Sequence, residues 1–258
     1  MKIHYDLSNI KTYINRQSHF ELNDFVSQFE KNLKRIKKFK EIDSKTKILE
    51  VGTGTGWFPI LCRKYGIDCE GLEICPQFVE YAKQFGRKHG IEPNIKLGNI
   101  EEVDIGKSTY DIIITLSTFE HVERWQKGLM NIYDALKPSG LLYFYSTNKF
   151  CLWSGECHIP FYGWLPDRWR YRLRTFSQGE DIMKLGIDFN QFTYPQLQRF
   201  FKHIGFSEVM DVFDVIGTDD LIYPTFWKKM LLHVMKQLVI LKPLALFLLP
   251  GTLFVCKK

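Results

Sequence analysis

The stretch Lys47-Ile-Leu-Glu-Val-Gly-Thr-Gly-Thr-Gly-Trp57 constrains the fold more than any other part of the chain. The apolar run Ile48 to Val51 reads as a buried strand, closed by Gly52, Gly54 and Gly56 at alternate positions. Glycine at such a corner lets the backbone turn sharply and lets a ligand approach the main chain. One helix-length later, Cys69-Glu-Gly-Leu-Glu-Ile74 supplies a second apolar run. It ends in Glu73, whose carboxylate can accept hydrogen bonds from a ribose diol. This is the geometry of a nucleotide-like cofactor at the carboxyl ends of a parallel sheet. The dinucleotide fingerprint Gly-x-Gly-x-x-Gly needs its third glycine at position 57, where the chain has Trp57. A tight pyrophosphate approach at that helix start is therefore disfavoured.

From residue 47 onward strands and helices alternate. Strands are expected at 47–52, 68–73, 94–98, 110–116 and 141–146, with helices at 57–65, 76–89 and 125–136. Pro76 suits a first helical turn, and Leu136-Lys-Pro-Ser-Gly140 reads as a stop followed by a turn. After an aperiodic segment at 148–192, a helix at 193–204, a strand at 206–216 and a last strand at 251–257 complete the pattern. The expected fold is α/β: a doubly wound, Rossmann-like seven-stranded sheet, mostly parallel with an antiparallel last strand. Residues 1–44 form an N-terminal helical cap, and 45–258 form the main domain with 148–192 as a lid over the substrate. Within the cap, Phe20, Leu22, Phe25, Phe29, Leu33, Ile36 and Phe39 mark an amphipathic helix over 20–42. Its basic run, Lys34 to Lys38, reads as a solvated face.

The chain has 258 residues, 45% of them hydrophobic and 15% aromatic, enough for one elaborated domain with an additional apolar surface. A net charge of +6 is too modest to indicate a nucleic-acid partner. The six cysteines contain no Cys-x-x-Cys pair and read as reduced thiols in a cytoplasmic setting. Cys151, Cys157 and His158 form a faint metal-like cluster without a fourth ligand. The first residues lack the apolar core of a secretion signal.

Six segments stand in order: Glu50-Val-Gly-Thr-Gly-Thr-Gly56, Gly71-Leu-Glu73, Gly98-Asn-Ile-Glu101, Tyr110-Asp-Ile-Ile113, Glu120-His-Val122 and Leu136-Lys-Pro-Ser-Gly140. Together they resemble the class I S-adenosylmethionine-dependent methyltransferases, nearest to the ubiquinone-biosynthesis O-methyltransferase-like branch. The resemblance covers residues 45–148, and 193–258 more loosely. It implies that Gly52, Gly54 and Gly56 line the methionine end of S-adenosylmethionine and that Glu73 holds its ribose hydroxyls. It implies further that Asn99 contacts the adenine amino group, Ile100 packs on the adenine, and Leu116 and Ser117 edge the methionine moiety. Glu50 either orders the loop or meets the cofactor directly. The ubiquinone branch has a metal-assisting carboxylate three positions before its Glu-His pair; here that position is Ser117. Glu120 and His121 alone are a poor hard-cation site, so no metal is expected.

Transfer of a methyl group to a hydroxyl benefits from a general base. His121, just after the fourth strand, and His158, within the lid, are the candidates; His121 also reads as a helix-start residue bonded to loop backbone and His158 as a loop histidine locked by aromatic packing, and His158 is preferred. Arg168-Trp-Arg-Tyr-Arg-Leu-Arg174 places four arginines at alternate positions. Extended, they share one face as an anion clamp; helical, they spread around the axis. Arg168, Trp169, Arg170 and Tyr162 are the candidate substrate contacts, for a phosphate- or carboxylate-bearing substrate or a lipid headgroup; the plainer reading of the run is a solvated lid edge. A basic amphipathic stretch at 225–249 is too interrupted to span a bilayer, and Pro243 ends any helix there. It reads as a membrane-surface element, a helix packed on the sheet, or a homodimer interface. The expected function is O-methylation of a small apolar or lipid-linked acceptor. A sugar or polysaccharide-precursor methyltransferase and a non-catalytic S-adenosylmethionine-binding scaffold are the alternatives, with a nicotinamide oxidoreductase more distant.

Overall fold

The computed structural model describes residues 14–15, 17–154, 159–179, 190–220, 223, 225–237 and 242–258. Its strands are β1 (Ile48–Val51), β2 (Cys69–Glu73), β3 (Asn94–Leu97), β4 (Tyr110–Leu116), β5 (Leu136–Thr147), β6 (Glu208–Asp211) and β7 (Gly251–Lys257). They form one seven-stranded sheet in the order β3-β2-β1-β4-β5-β7-β6, in which β7 runs antiparallel to both β5 and β6. The main helices are α1 (Val26–Lys37), α2 (Trp57–Lys64), α3 (Pro76–Lys88), α4 (Trp125–Ala135), α5 (Asp167–Gln178) and α6 (Tyr194–Ile204). Toward the C terminus follow the one-turn α7 (Val212–Val215), then α8 (Phe226–Gln237) and α9 (Lys242–Leu248). This is the doubly wound architecture that the alternation of strands and helices implied.

Both faces of the sheet are covered, because successive strand residues point to opposite sides and both sets are apolar. Leu49, Val51, Ile113, Leu142, Phe144, Phe254 and Cys256 pack under α4 and α6 through Leu129, Ile132, Leu197 and Phe201. Their neighbours Ile48, Ile112, Ile114, Tyr143, Leu253 and Val255 join Phe29, Leu33 and Ile36 of α1 and Phe58, Ile60 and Leu61 of α2. The strand order reverses at β1, whose two neighbours are β2 and β4. Such a switch point leaves a crevice beyond the carboxyl ends of the strands.

Four local expectations need correction. Leu136 to Gly140 do end the helix, at Ala135, but form no separate turn before the strand. They open β5, with a bulge opposite Tyr110–Ile112 and Ser139 at φ 60. The strand expected over 206–216 ends at Asp211, whose side chain caps α7 by accepting from the Phe213 N–H, while Asp214 accepts from the Asp211 N–H. Pro243 does not end a helix; it lies in the first turn of α9, where its missing N–H costs nothing. The basic run on α1 is not simply solvated. Arg35 pairs with Asp220 at 2.6 Å and Lys34 with Asp219 at 3.0 Å, tying α1 to the turn after α7.

The three readings of 225–249 divide by position. Leu246 and Leu249 pack against the core, and Asn148 at the end of β5 donates to the carbonyls of Leu246, Phe247 and Leu249. By contrast Phe226 and Trp227 at the start of α8 are 72% and 69% exposed. Among the described residues no helix is long and apolar enough to cross a membrane.

Candidate functional site

The glycine corner after β1 takes positive φ at Gly52 (73), Gly54 (53) and Gly56 (76), in surroundings that differ. A Cβ on Gly52 would lie 2.2 Å from Thr118 Cγ2, and one on Gly56 would lie 2.6 Å from Ala82 Cβ of α3. Gly54 faces open space: nothing lies within 4 Å of a Cβ built there. Gly52 and Gly56 therefore let the corner fit against the protein, whereas Gly54 presents bare backbone to a cleft.

Glu73 closes the second side. Its Oε2 accepts from the Gly54 N–H at 2.7 Å and its Oε1 from the Cys75 N–H at 3.0 Å, which fixes the carboxylate at the tip of β2. Burial raises its pKa, opposed by those backbone donors and by the nearby charge of His121. Glu50 lies beneath the loop and outside the cleft lining. It accepts from Thr53 Oγ1, and burial, opposed by that hydrogen bond, pushes its pKa up to about 8. Of the two readings of Glu50, ordering the loop is the one its position matches.

The cleft, about 300 Å³, is walled by Gly52, Gly54, Glu73, Asn99, Ile100, Leu116, Ser117 and His121. Trp57 and Gln17 close one edge, and Trp57 stacks on Phe25 with ring centroids 5.2 Å apart. Seven of the nine residues expected at a cofactor thus converge; Glu50 and Gly56 support the loop from behind. Asn99 Oδ1 accepts from the Glu101 N–H at 2.9 Å, an Asx turn that orients the side chain and leaves a second lone pair.

Ser117, at φ 52, also lines a second cavity of about 60 Å³ with Glu120, Tyr145, Ser146, Tyr162, Gly163 and Gln191. Glu120 is fully buried there and accepts from Ser146 Oγ. Glu120 and His121, adjacent in sequence, therefore face different cavities. Asn190 holds the turn that carries them, donating from Nδ2 to the carbonyls of Phe119 and Val122 and from its N–H to that of Glu120.

The arginine run is helical, so its four arginines do not share a face. Residues four apart do. Arg170 and Arg174 are both buried, each with its guanidinium 5.9 Å from the centroid of the Tyr162 ring. Arg168 and Trp169 point outward and join neither cavity, which corrects their expected role beside Arg170 and Tyr162. His158 and Cys157 lie outside the described residues. Residue-by-residue reading missed Glu120 as a cavity group, along with Asn190 and Gln191. Only the packing of the segment around Asn190 and Gln191 against the turn after β4 reveals them, and no local motif marks them.

A sheet of this order, with an open glycine corner and an acid at the second strand tip, defines a class I methyltransferase fold. The sequence meets a family model described as "Methyltransferase domain" over residues 16–210, and the chain belongs to that family. S-adenosylmethionine is its cofactor. The donor set suits this group, since the Glu73 carboxylate, held by backbone N–H groups at the tip of β2, lines the cleft and Gly54 offers close approach. The chain is 30% identical over 106 residues to a ubiquinone biosynthesis O-methyltransferase of Rickettsia conorii, covering 41% of this chain and 36% of that protein. To the enzyme of the same name from Rickettsia prowazekii it is 26% identical over 136 residues, 53% of this chain and 51% of the other. It thus spans about a third to a half of those relatives' length. Among solved structures, an S-adenosylmethionine-dependent methyltransferase from Archaeoglobus fulgidus superposes with a TM-score of 0.54 at 16% identity, covering 89% of this chain and 92% of that one. Another from Mesorhizobium loti gives 0.55 at 15% identity, covering 87% and 95%.

Proposed function

We propose that the chain transfers a methyl group from S-adenosylmethionine to an oxygen of a small or lipid-linked acceptor. The observation that carries this reading is the junction at Ser117, which borders both the cofactor cleft and the smaller cavity containing Glu120. In this reading Glu73 holds the ribose hydroxyls, Asn99 the adenine amino group, and Gly52 and Gly54 the methionine end. Ile100 packs on the adenine, while Leu116 and Ser117 edge the reacting side. Bound there, the cofactor supplies a methyl group activated by its sulfonium. The protein orients the acceptor, excludes water and manages its proton. Among the described residues Glu120 is the group placed to take that proton, since it lines the acceptor side, whereas His121 lines the cofactor side. Tyr145, Cys151 and Tyr162 give the acceptor cavity an apolar wall.

The test uses labelled S-adenosylmethionine with catechol and polyprenyl-phenol acceptors. Methyl ethers should form with the parent chain, and Glu120→Gln should lower kcat by about 10²–10⁴-fold, the usual worth of a positioned base, with little change in cofactor affinity. Cofactor binding without transfer to any oxygen acceptor would favour a scaffold role. The exposed Phe226 and Trp227, beside Lys228 and Lys229, support a second element of the reading, contact of α8 with an anionic membrane surface.

A further inference from the structure

The cavity beside Glu120 does not end at the lid. Gly163 and Gln191, which line it, also line a further cleft of about 360 Å³ together with Lys149, Asp167 and Arg170. Three spaces thus adjoin in sequence: cofactor cleft, acceptor cavity, and this outer cleft. Gly163 is the waist, where a Cβ would lie 2.2 Å from the Lys149 carbonyl oxygen and 2.9 Å from Gln191 Oε1.

The outer cleft is basic and its donors are underused. Arg170 is 5% exposed, yet among the described residues only its Nη2 has an acceptor, Asp167 Oδ1 at 2.7 Å. Its Nε and Nη1 are buried without a hydrogen-bond partner among the described residues, and so is Gln191 Nε2. Asp167 is a weak counter-ion, because its side chain is 95% exposed. Lys149 adds a second positive charge at the rim and has no carboxylate partner among the described residues. Pro166 and Asp167 also bring the first turn of α5 into the wall, and amide groups at a helix start favour an anion. A guanidinium removed from water needs compensation by charge and hydrogen bonds. Nothing on its own helix supplies enough of either.

We propose that this cleft is a phosphate-binding subsite, so that the acceptor of the methyl group is a phosphorylated molecule anchored by Arg170, Lys149 and Gln191. The donors come from three segments, around 149, 170 and 191, an arrangement that suits a tetrahedral anion better than a planar carboxylate. The link to methyl transfer rests on the function proposed above; the anion site itself does not. The phosphate belongs either to a soluble phosphomonoester or to a lipid headgroup, and the chemistry that recognises it is the same.

The test uses the full chain, with phenyl phosphate followed by phosphorus NMR in one arm and vesicles containing phosphatidic acid in the other. S-adenosylhomocysteine binding is measured in parallel by calorimetry. Arg170→Gln should weaken saturable phosphate binding at least about tenfold, the loss of charge-assisted hydrogen bonds to the anion. Lys149→Gln, at the exposed rim where folding is not at stake, should weaken it by a smaller factor. Neither change should alter S-adenosylhomocysteine affinity. Saturable binding in the phenyl phosphate arm assigns a soluble ester, and binding confined to vesicles assigns a headgroup; either supports the subsite if both substitutions weaken it. Binding that is absent from both arms, or indifferent to both substitutions, overturns it. A parent chain that failed to bind S-adenosylhomocysteine would instead sink the function proposed above and leave the phosphate result standing.

Discussion

Gly52 and Gly54 are two residues apart, and both adopt the left-handed backbone region, yet alanine should affect them differently. At either position an alanine in that region costs about 1–2 kcal/mol. At Gly52 the new methyl would also collide with Thr118, since its Cβ would sit 2.2 Å from Cγ2 and 2.4 Å from Oγ1. Relief of such overpacking costs a further amount of about 1–3 kcal/mol, for a total of roughly 2–5 kcal/mol. In a chain of this size that corresponds to a fall in Tm of roughly 4–20 °C. Gly54 meets nothing within 4 Å, so Gly54→Ala should lose only the backbone cost, roughly 2–8 °C. Its methyl projects into the cleft, however, and should weaken S-adenosylhomocysteine binding by about 10- to 100-fold through displacement of the ligand from the loop. Scanning calorimetry and titration calorimetry on the two variants read the two effects separately. A Gly54→Ala protein that bound S-adenosylhomocysteine as tightly as the parent would refute the reasoning, because the open space at Gly54 would then not be cofactor space.

Glu73→Ala should reduce S-adenosylhomocysteine affinity by about 10- to 100-fold, the loss of charge-assisted hydrogen bonds to the ribose, while a ligand lacking both ribose hydroxyls should discriminate little between parent and variant. Glu50 gives a pH signature. Folded, it keeps its proton up to about pH 8, whereas the unfolded chain releases it near 4.5, so the folded state holds the extra proton between those values. Its contribution to stability therefore falls as pH rises through that window, by up to about 1.4 kcal/mol per pH unit, and levels off above it. Glu50→Gln should flatten the decline in Tm between pH 5 and pH 8 and gain most over the parent at the alkaline end; parallel curves would contradict the buried, protonated state. Finally, Phe226→Asp with Trp227→Asp should abolish co-flotation with anionic liposomes without lowering Tm, since both side chains are largely exposed. Equal flotation of parent and variant would remove the membrane reading.

Much of the cofactor side is legible in the sequence, because it depends on short-range rules. A buried strand, a corner only glycine can turn and an acid at the next strand tip lie within Ile48 to Glu73. Each feature is imposed by local backbone geometry, and seven of the nine expected residues indeed meet in one cleft. The division of labour among the glycines was not legible, since it depends on Thr118 and Ala82, which are distant in sequence. The basic run on α1 misled for a similar reason: its partners, Asp219 and Asp220, stand some 185 residues away.

What the sequence alone determined, then, is the doubly wound sheet, its order of elements and the kind of ligand its glycine corner can admit. Periodicity and glycine placement are local and survive being read in one dimension. The arrangement around the second cavity was decided only in three dimensions. Alternate arginines pointed to an extended clamp as readily as to a helix, and the chain chose the helix, which buries Arg170 and Arg174 over Tyr162 and turns Arg168 and Trp169 outward. Glu120 and His121 are neighbours in the chain, yet the tight turn that Asn190 holds sends them into different cavities. Which side chains share a cavity depends on packing between distant segments, and no spacing along the chain encodes it.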